Sequence, residues 1–173
     1  MLIELSRGIT LHPGSFTAVI APEKKILAAL NSNADLQRFL FLYIGGNYSR
    51  ILSGIQRSST NFEVRRAFTA HQLLTMMREA GHTVVFVEHD PSLFDGAANT
   101  LEPVAGALKE VGRESLVILY TPAMDRTFSA LARRADRYIE IVADGAEGQP
   151  VRASRGMRQY GLRPAGQRTL EVR

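Results

Sequence analysis

Apolar residues in this chain fall into short continuous blocks, separated by stretches with a helical period. Phe16–Ile20 alternates and then runs apolar, which predicts a strand. Glu23–Leu30 predicts a short helix, stopped by the turn-forming Asn31-Ser32-Asn33. Arg38–Ile44 is a nearly unbroken apolar run closed by Gly45-Gly46-Asn47, the pattern of a strand buried on both faces. Across Phe62–Ala80, apolar and aromatic positions (Val64, Ala67, Phe68, His71, Leu74, Met77) recur every three or four residues. That spacing predicts one amphipathic helix ended by Gly81. Thr83–Glu88 is the clearest strand. Leu101–Val111 reads as a helix with Ala105, Leu108 and Val111 on one side and Gly112 as its stop. Ser115–Tyr120 is a second buried strand, halted by Thr121-Pro122. Arg126–Ala135 reads as a helix and Tyr138–Ala143 as a strand. Gly145, Gly148 and Pro150 mark a turn, and Val151–Ser154 and Thr169–Val172 alternate like exposed antiparallel edge strands. Residues 45–61 and 90–100 read as long loops.

Alternating strands and helices, with strands that are continuous apolar runs, predict an α/β fold. A mostly parallel sheet is flanked by helices and completed by an antiparallel extension at the C-terminus. The expected organisation is a single domain over 1–173, with a core of about 14–143 and a basic β extension of about 149–173. Ligands of such sheets bind at the carboxyl ends of the strands. Here those ends are Ala21–Lys25, Gly45–Tyr48, Glu88–Asp90 and Thr121–Pro122.

Composition changes this picture little, and charge changes it more. The chain has 173 residues, 45% hydrophobic and 22% charged, in the range of a soluble globular protein. Cysteine is absent, which removes disulfides and thiolate metal sites and fits a reducing cytoplasm. Met-Leu-Ile-Glu-Leu-Ser-Arg has no basic stretch followed by an apolar core, so no signal peptide is expected, and no apolar run is long enough to span a bilayer. A cytoplasmic protein without a membrane partner is expected. Residues 149–173 carry six arginines against Glu171, a net of +5, which leaves −1 of the overall +4 for the other 148 residues. A basic segment on a near-neutral body fits contact with nucleic acid or an acidic partner. It equally fits a solvated surface in an arginine-rich proteome, since arginine outnumbers lysine 18 to 3.

The strand–loop–helix over residues 14–30 has the layout of a phosphate-binding loop without its chemistry. Its link, Ala21-Pro22-Glu23-Lys24-Lys25, has no glycine to let backbone N–H groups wrap a phosphate, and no Lys-Ser or Lys-Thr pair. Lys24 and Lys25 occupy the place of a phosphate-binding lysine, or are simply solvated in a first helical turn. Glu88-His89-Asp90 is the best chemical cluster. A carboxylate there can hold Mg²⁺ through water and a histidine can sense a terminal phosphate. Against that, Asp90-Pro91-Ser92-Leu93 is a good helix start with Asp90 as its cap. In a strand, Glu88 and Asp90 point one way and His89 the other. His71 reads as a half-buried packing residue. No histidine pair has ligand spacing, so no metal site is expected. No serine sits in a nucleophile elbow. Tyr160 among the tail arginines is a lone stacking candidate.

The order of elements resembles the core of the RecA superfamily, in particular its KaiC-like and RadA/RadB-like branches. TVVFVE with Glu88 at its end resembles a Walker B strand, or the strand before it. ADRYIEI at 135–141 resembles the superfamily's Ala-Asp-x-x-Ile-x-Leu strand. RASRGMR at 152–158 resembles the KaiC-like C-terminal Lys-x-Arg-Gly strand: Arg155-Gly156 match, while Ala153 stands where that family has lysine. GHTVVFVEHD at 81–90 also resembles the switch-histidine segment of ABC-type ATPases. However, a full strand–helix unit separates it from the Ala-Asp-Arg strand and no ABC signature occurs, so topology favours the RecA-like reading.

The RecA resemblance implies a P-loop NTPase fold with a degenerate nucleotide site. The function expected from it is a non-catalytic regulatory or assembly protein linked to DNA recombination or repair, with no cofactor. Its expected partners are further copies of itself or a RecA-family protein, through Arg152, Arg155 and Arg158, with DNA as the other partner of those arginines. Two alternatives stand beside it. One is an atypical ATPase using ATP and Mg²⁺ with Glu88, His89, Asp90 and Lys24 or Lys25. The other is a nucleic-acid-binding module using the C-terminal arginines.

Overall fold

A computed structural model of the chain describes residues 3–6, 8–33, 36, 38–57, 59–142 and 152–155. A hairpin of β1 (Ile3–Ser6) and β2 (Ile9–Leu11) comes first, turning at Gly8, whose φ of 79° suits glycine. There follow β3 (Ser15–Ile20), α1 (Glu23–Ser32), β4 (Phe41–Gly45), β5 (Phe62–Arg66), α2 (Ala70–Arg78) and β6 (Val84–Glu88). The chain continues through α3 (Leu101–Val111), β7 (Leu116–Thr121), α4 (Arg126–Ala132), β8 (Arg137–Glu140) and β9 (Arg152–Arg155). Seven strands form one sheet in the order β5-β4-β6-β7-β3-β8-β9. Every pairing is parallel except β8 with β9. The fold is therefore α/β, a parallel sheet flanked by helices with an antiparallel strand at its end and a small separate hairpin.

The continuous apolar runs are explained by burial on both faces. On one face, Ala18, Leu42, Val85, Val87, Val117 and Leu119 pack beneath α2, α3 and α4. On the other, Val19, Tyr43, Phe86, Ile118, Tyr120 and Ile139 pack beneath α1, the hairpin and the 51–55 segment. That second face holds a row of rings: Phe41 lies 4.9 Å from Phe62, Tyr43 5.6 Å from Phe86 and Phe86 5.7 Å from Tyr120, centroid to centroid.

The expected helix over Phe62–Ala80 is instead two elements. Phe62–Arg66 is a strand paired in parallel with β4, and only Ala70–Arg78 is helical. Within Phe-Glu-Val-Arg-Arg the apolar residues alternate with a period of two, as on a half-buried edge strand. Their registry with the following helix imitated a period of 3.6. Thr69 caps α2 by accepting the N–H of Gln72 at 3.2 Å, while the Gln72 side chain accepts the N–H of Phe68 at 2.7 Å. Gln72 thus reaches back one residue beyond the N–H that a capping box engages, and Thr69-x-x-Gln72 was the signal that marked the true helix start. The buried residues of α2 are Ala70, Leu73 and Met77. Phe68 is 59% exposed, and His71 is exposed instead of packed on the core.

The strand expected from Arg38 begins only at Phe41, and the one expected from Tyr138 spans Arg137–Glu140. The edge strand expected at Val151–Ser154 is present as β9, with Arg152 opposite Glu140 and Arg155 opposite Arg137. The strand expected at Thr169–Val172, together with Arg158 and Tyr160, lies outside the described residues.

Candidate functional site at the carboxyl ends of β4 and β6

β4 and β6 are neighbours, yet the segments that leave them diverge. Residues after β4 pack on the α1 face through Ile51 and Ile55, and residues after β6 pack on the opposite face through Leu93 and Phe94. Divergence of this kind opens the crevice that binds ligands in open α/β sheets. β3 and β7 diverge in the same way, into α1 and α4.

Glu88 ends β6 inside the first crevice and is 3% exposed. Its side chain lies on the ring-lined face, two residues beyond Phe86. Three donors meet its carboxylate. The Tyr43 phenol donates a short hydrogen bond to Oε2, the Ser49 hydroxyl donates to the same oxygen at 2.6 Å, and the Arg50 N–H donates to Oε1 at 2.7 Å. Ser49 Oγ in turn accepts the N–H of Leu52 at 3.0 Å. Burial, together with the bond to Glu88, pushes the Tyr43 phenol far above its usual range, so it stays protonated as a donor. Both carboxylate oxygens are thus engaged within the chain, and they fix the path of residues 49–52. The Arg50 side chain leaves this cluster, 67% exposed, and lies 3.6 Å from Glu23 of α1.

Asp90 is fixed in a similar way. Its Oδ1 accepts the N–H and the hydroxyl of Ser92 at 3.0 and 2.7 Å, and its Oδ2 accepts the N–H of Asn47 at 2.9 Å. Partial burial pushes its pKa up, but the bonds from Ser92, Asn47 and Tyr48 outweigh that and hold it below the usual carboxylate value. Asp90 therefore caps a short 3₁₀ turn, Pro91–Phe94, and ties it to the loop after β4. Gly46 permits this approach, since a Cβ there would lie 2.4 Å from the Asp90 side chain.

His89 faces the opposite side of the sheet, as alternation requires. Its side chain is 1% exposed and its ring meets Phe128 edge-on at 5.5 Å. Its Nε2 lies 2.8 Å from Asp125 Oδ2, while Asp125 Oδ1 caps α4 by accepting the N–H of Phe128 at 2.8 Å. Burial lowers the His89 pKa and outweighs the opposing pull of Asp125. Near neutral pH the contact is a hydrogen bond donated by a neutral imidazole to a carboxylate, and it tethers the end of β6 to the start of α4.

At the second crevice β3 ends at Ile20 and α1 begins at Glu23, so only Ala21-Pro22 connects them. Pro22 has no N–H, and its carbonyl accepts from Lys25 and Ile26. The Ala21 N–H donates to Thr121 O at 3.3 Å, and the Tyr120 phenol donates to Ala21 O at 3.2 Å. Burial, followed by the nearby charges of Glu23 and Glu88, pushes the Tyr120 phenol well up. A two-residue turn held from both sides leaves little backbone to wrap an anion. Lys24 is exposed in the first turn of α1 and Lys25 is half-buried.

The structure places Glu88 and His89 on opposite faces of the sheet, and gives each residue of the cluster a partner that sequence reasoning did not supply: Tyr43, Ser49 and Arg50 for Glu88, Asn47 for Asp90, Asp125 for His89. The one legible signal was Tyr43, a phenol inside a strand buried on both faces, which needs a hydrogen-bond partner. Among the described residues no three His, Asp or Glu side chains converge as a metal cage requires, and no helix is long and apolar enough to cross a membrane.

No family model matches the chain. A protein of Archaeoglobus fulgidus described as "Uncharacterized protein" is 40% identical to it over 164 residues, covering 92% of this chain and 83% of that protein.

Proposed function

We propose, for a chain that belongs to the same family as this Archaeoglobus fulgidus protein, a non-catalytic role: a regulatory or assembly protein of RecA-like build. The observation that carries this reading is the state of Glu88. A carboxylate that serves Mg²⁺ or a reacting water needs a free oxygen lone pair facing the ligand. Here Tyr43 and Ser49 fill Oε2, the Arg50 N–H takes one position on Oε1, and the carboxylate is 3% exposed, so its one remaining acceptor position is shut from solvent. The Ala21-Pro22 turn supports the same reading, because anion binding by a strand–helix unit depends on successive free N–H groups. The link to DNA recombination or repair comes from the RecA resemblance and the arginine-rich tail.

The test is direct. Titration of the purified chain with ATP and Mg²⁺ is expected to show no binding tighter than about 10 μM, roughly −6.8 kcal/mol, and no hydrolysis. Tighter binding, or hydrolysis lost in Glu88→Gln, would replace this reading with the ATPase.

A further inference from the structure

β5 is the outermost strand on one side of the sheet, and nothing among the described residues pairs with its outer edge. Which of its backbone groups are free follows from the register. The Phe41 N–H donates to Asn61 O and the Ala67 N–H donates to Gly45 O, with Phe41 opposite Phe62 and Gly45 opposite Arg66. In a parallel ladder, Glu63 and Arg65 therefore turn their main-chain groups toward β4. Phe62, Val64 and Arg66 turn theirs outward. A free edge of this kind is a template for another strand.

We propose that this edge is the seam of a two-fold symmetric dimer, in which β5 of one copy pairs antiparallel with β5 of a second, centred on Val64. In that register Val64 faces Val64 of the other copy, and Phe62 faces Arg66. These are the residues with outward N–H and C=O groups, so every outward group finds a partner. Glu63 then falls opposite Arg65 of the other copy, at the non-hydrogen-bonded positions where side chains approach closest. Opposite charges meet twice, once on each side of the axis, as an isologous interface demands. On the other face each Phe62 ring meets an arginine, a cation–π pairing. Neighbouring registers lack this match. Centring on residue 63 sets Glu63 against Glu63, and centring on residue 65 sets Arg65 against Arg65, both repulsive.

The charges are already displayed for this use. Arg65 Nε lies 2.5 Å from Glu63 Oε1 within the strand, and Glu63 also meets His82 at 2.9 Å. Both side chains thus sit on the α2 face, aligned along the edge, with Glu63 exposed and Arg65 half-buried. The seam does not depend on whether the chain binds nucleotide. It is also distinct from the opposite edge, where β9 carries Arg155.

Sedimentation of the full chain over a range of concentrations tests it, with circular dichroism to check the fold of each variant. Wild type is expected to dimerise reversibly. Val64→Pro removes an outward N–H that makes no bond among the described residues, and should weaken the dimer at least tenfold. Glu63→Arg should do the same by setting arginines against each other, and Glu63→Arg combined with Arg65→Glu should restore the dimer. A wild type that stays monomeric overturns the proposal. So does a dimer that ignores Val64→Pro, a double variant that fails to recover, or dissociation by Arg155→Glu alone, which places the interface at the other edge.

Discussion

At Glu88 two hydroxyl groups and a backbone amide converge on a single carboxylate, and the energetics of that point set what substitution does. A buried acceptor that loses a partner exposes the remaining donors to a desolvation penalty of about 1–3 kcal/mol. In Glu88→Gln an NH₂ group must face either the Tyr43 and Ser49 hydroxyls or the Arg50 N–H, all donors to the native carboxylate. With its oxygen toward the Arg50 N–H, the NH₂ group faces the two hydroxyls, which can turn to accept but whose own protons then lose the carboxylate they donated to. The variant is therefore expected to lose about 1–3 kcal/mol of stability, read from urea melts. Glu88 was conspicuous in the sequence because a carboxylate closes the clearest strand. Its partners were not, because Tyr43 and Ser49 lie 45 and 39 positions away in the chain.

Among the elements, β6 is firmly anchored, paired on both sides with β4 and β7 and buried along its length. Val87 is 2% exposed and faces the helices of one layer. Val87→Ala removes two buried methyl groups and leaves a small cavity, so a loss of about 1–3 kcal/mol is expected in the same melts. An unchanged midpoint would mean that this strand is not central to the sheet, because even complete collapse around the cavity leaves the transfer free energy of the two methyl groups lost. The elements that were read correctly are those with one dominant period. Leu101–Val111 matches its expected helix at both ends, and the buried strands match to within a few residues. Phe62–Ala80 was misread because a short edge strand and a capped helix, set a few residues apart, together mimic a longer helix. The β1–β2 hairpin was overlooked because its strands are only four and three residues long.

For the whole molecule, buried and hydrogen-bonded ionisable groups set how stability responds to acid. The lowered pKa of His89 means that the unfolded chain takes up its proton first, near its ordinary value of about 6.5. The unfolded state then binds more protons than the folded one. Stability is full above that pH and falls as pH drops toward the lowered native value. Asp90 and Asp136 follow the same sign in a more acidic window. Burial raises the Asp136 pKa, but Lys109 and the Phe16 N–H outweigh it, and the net shift of both aspartates is down. Their contribution is lost below the ordinary aspartate value of about 3.9. Denaturant midpoints measured from about pH 8 to pH 5 should therefore fall in wild type and fall less in His89→Gln, which removes the titrating ring. Equal slopes in the two proteins would show that His89 is not the group responsible.

What the sequence determined alone is what local chemistry dictates. Strands that must be buried on both faces need unbroken apolar runs, so Arg38–Ile44, Thr83–Glu88 and Ser115–Tyr120 announced a parallel sheet covered by helices. The missing glycines at Ala21–Lys25 were equally plain, since no later packing can supply them. Strand order was decided only in three dimensions, because it depends on which faces bury one another across dozens of residues. That order set β4 beside β6 and delivered Tyr43 and Ser49 to Glu88. It also left β5 at the rim, where the alternation of Phe62, Glu63, Val64, Arg65 and Arg66 becomes a surface instead of an interior. Periodicity records how each segment hides its own apolar face. It carries no record of which neighbour does the hiding, and the chemistry around Glu88 depends on that neighbour.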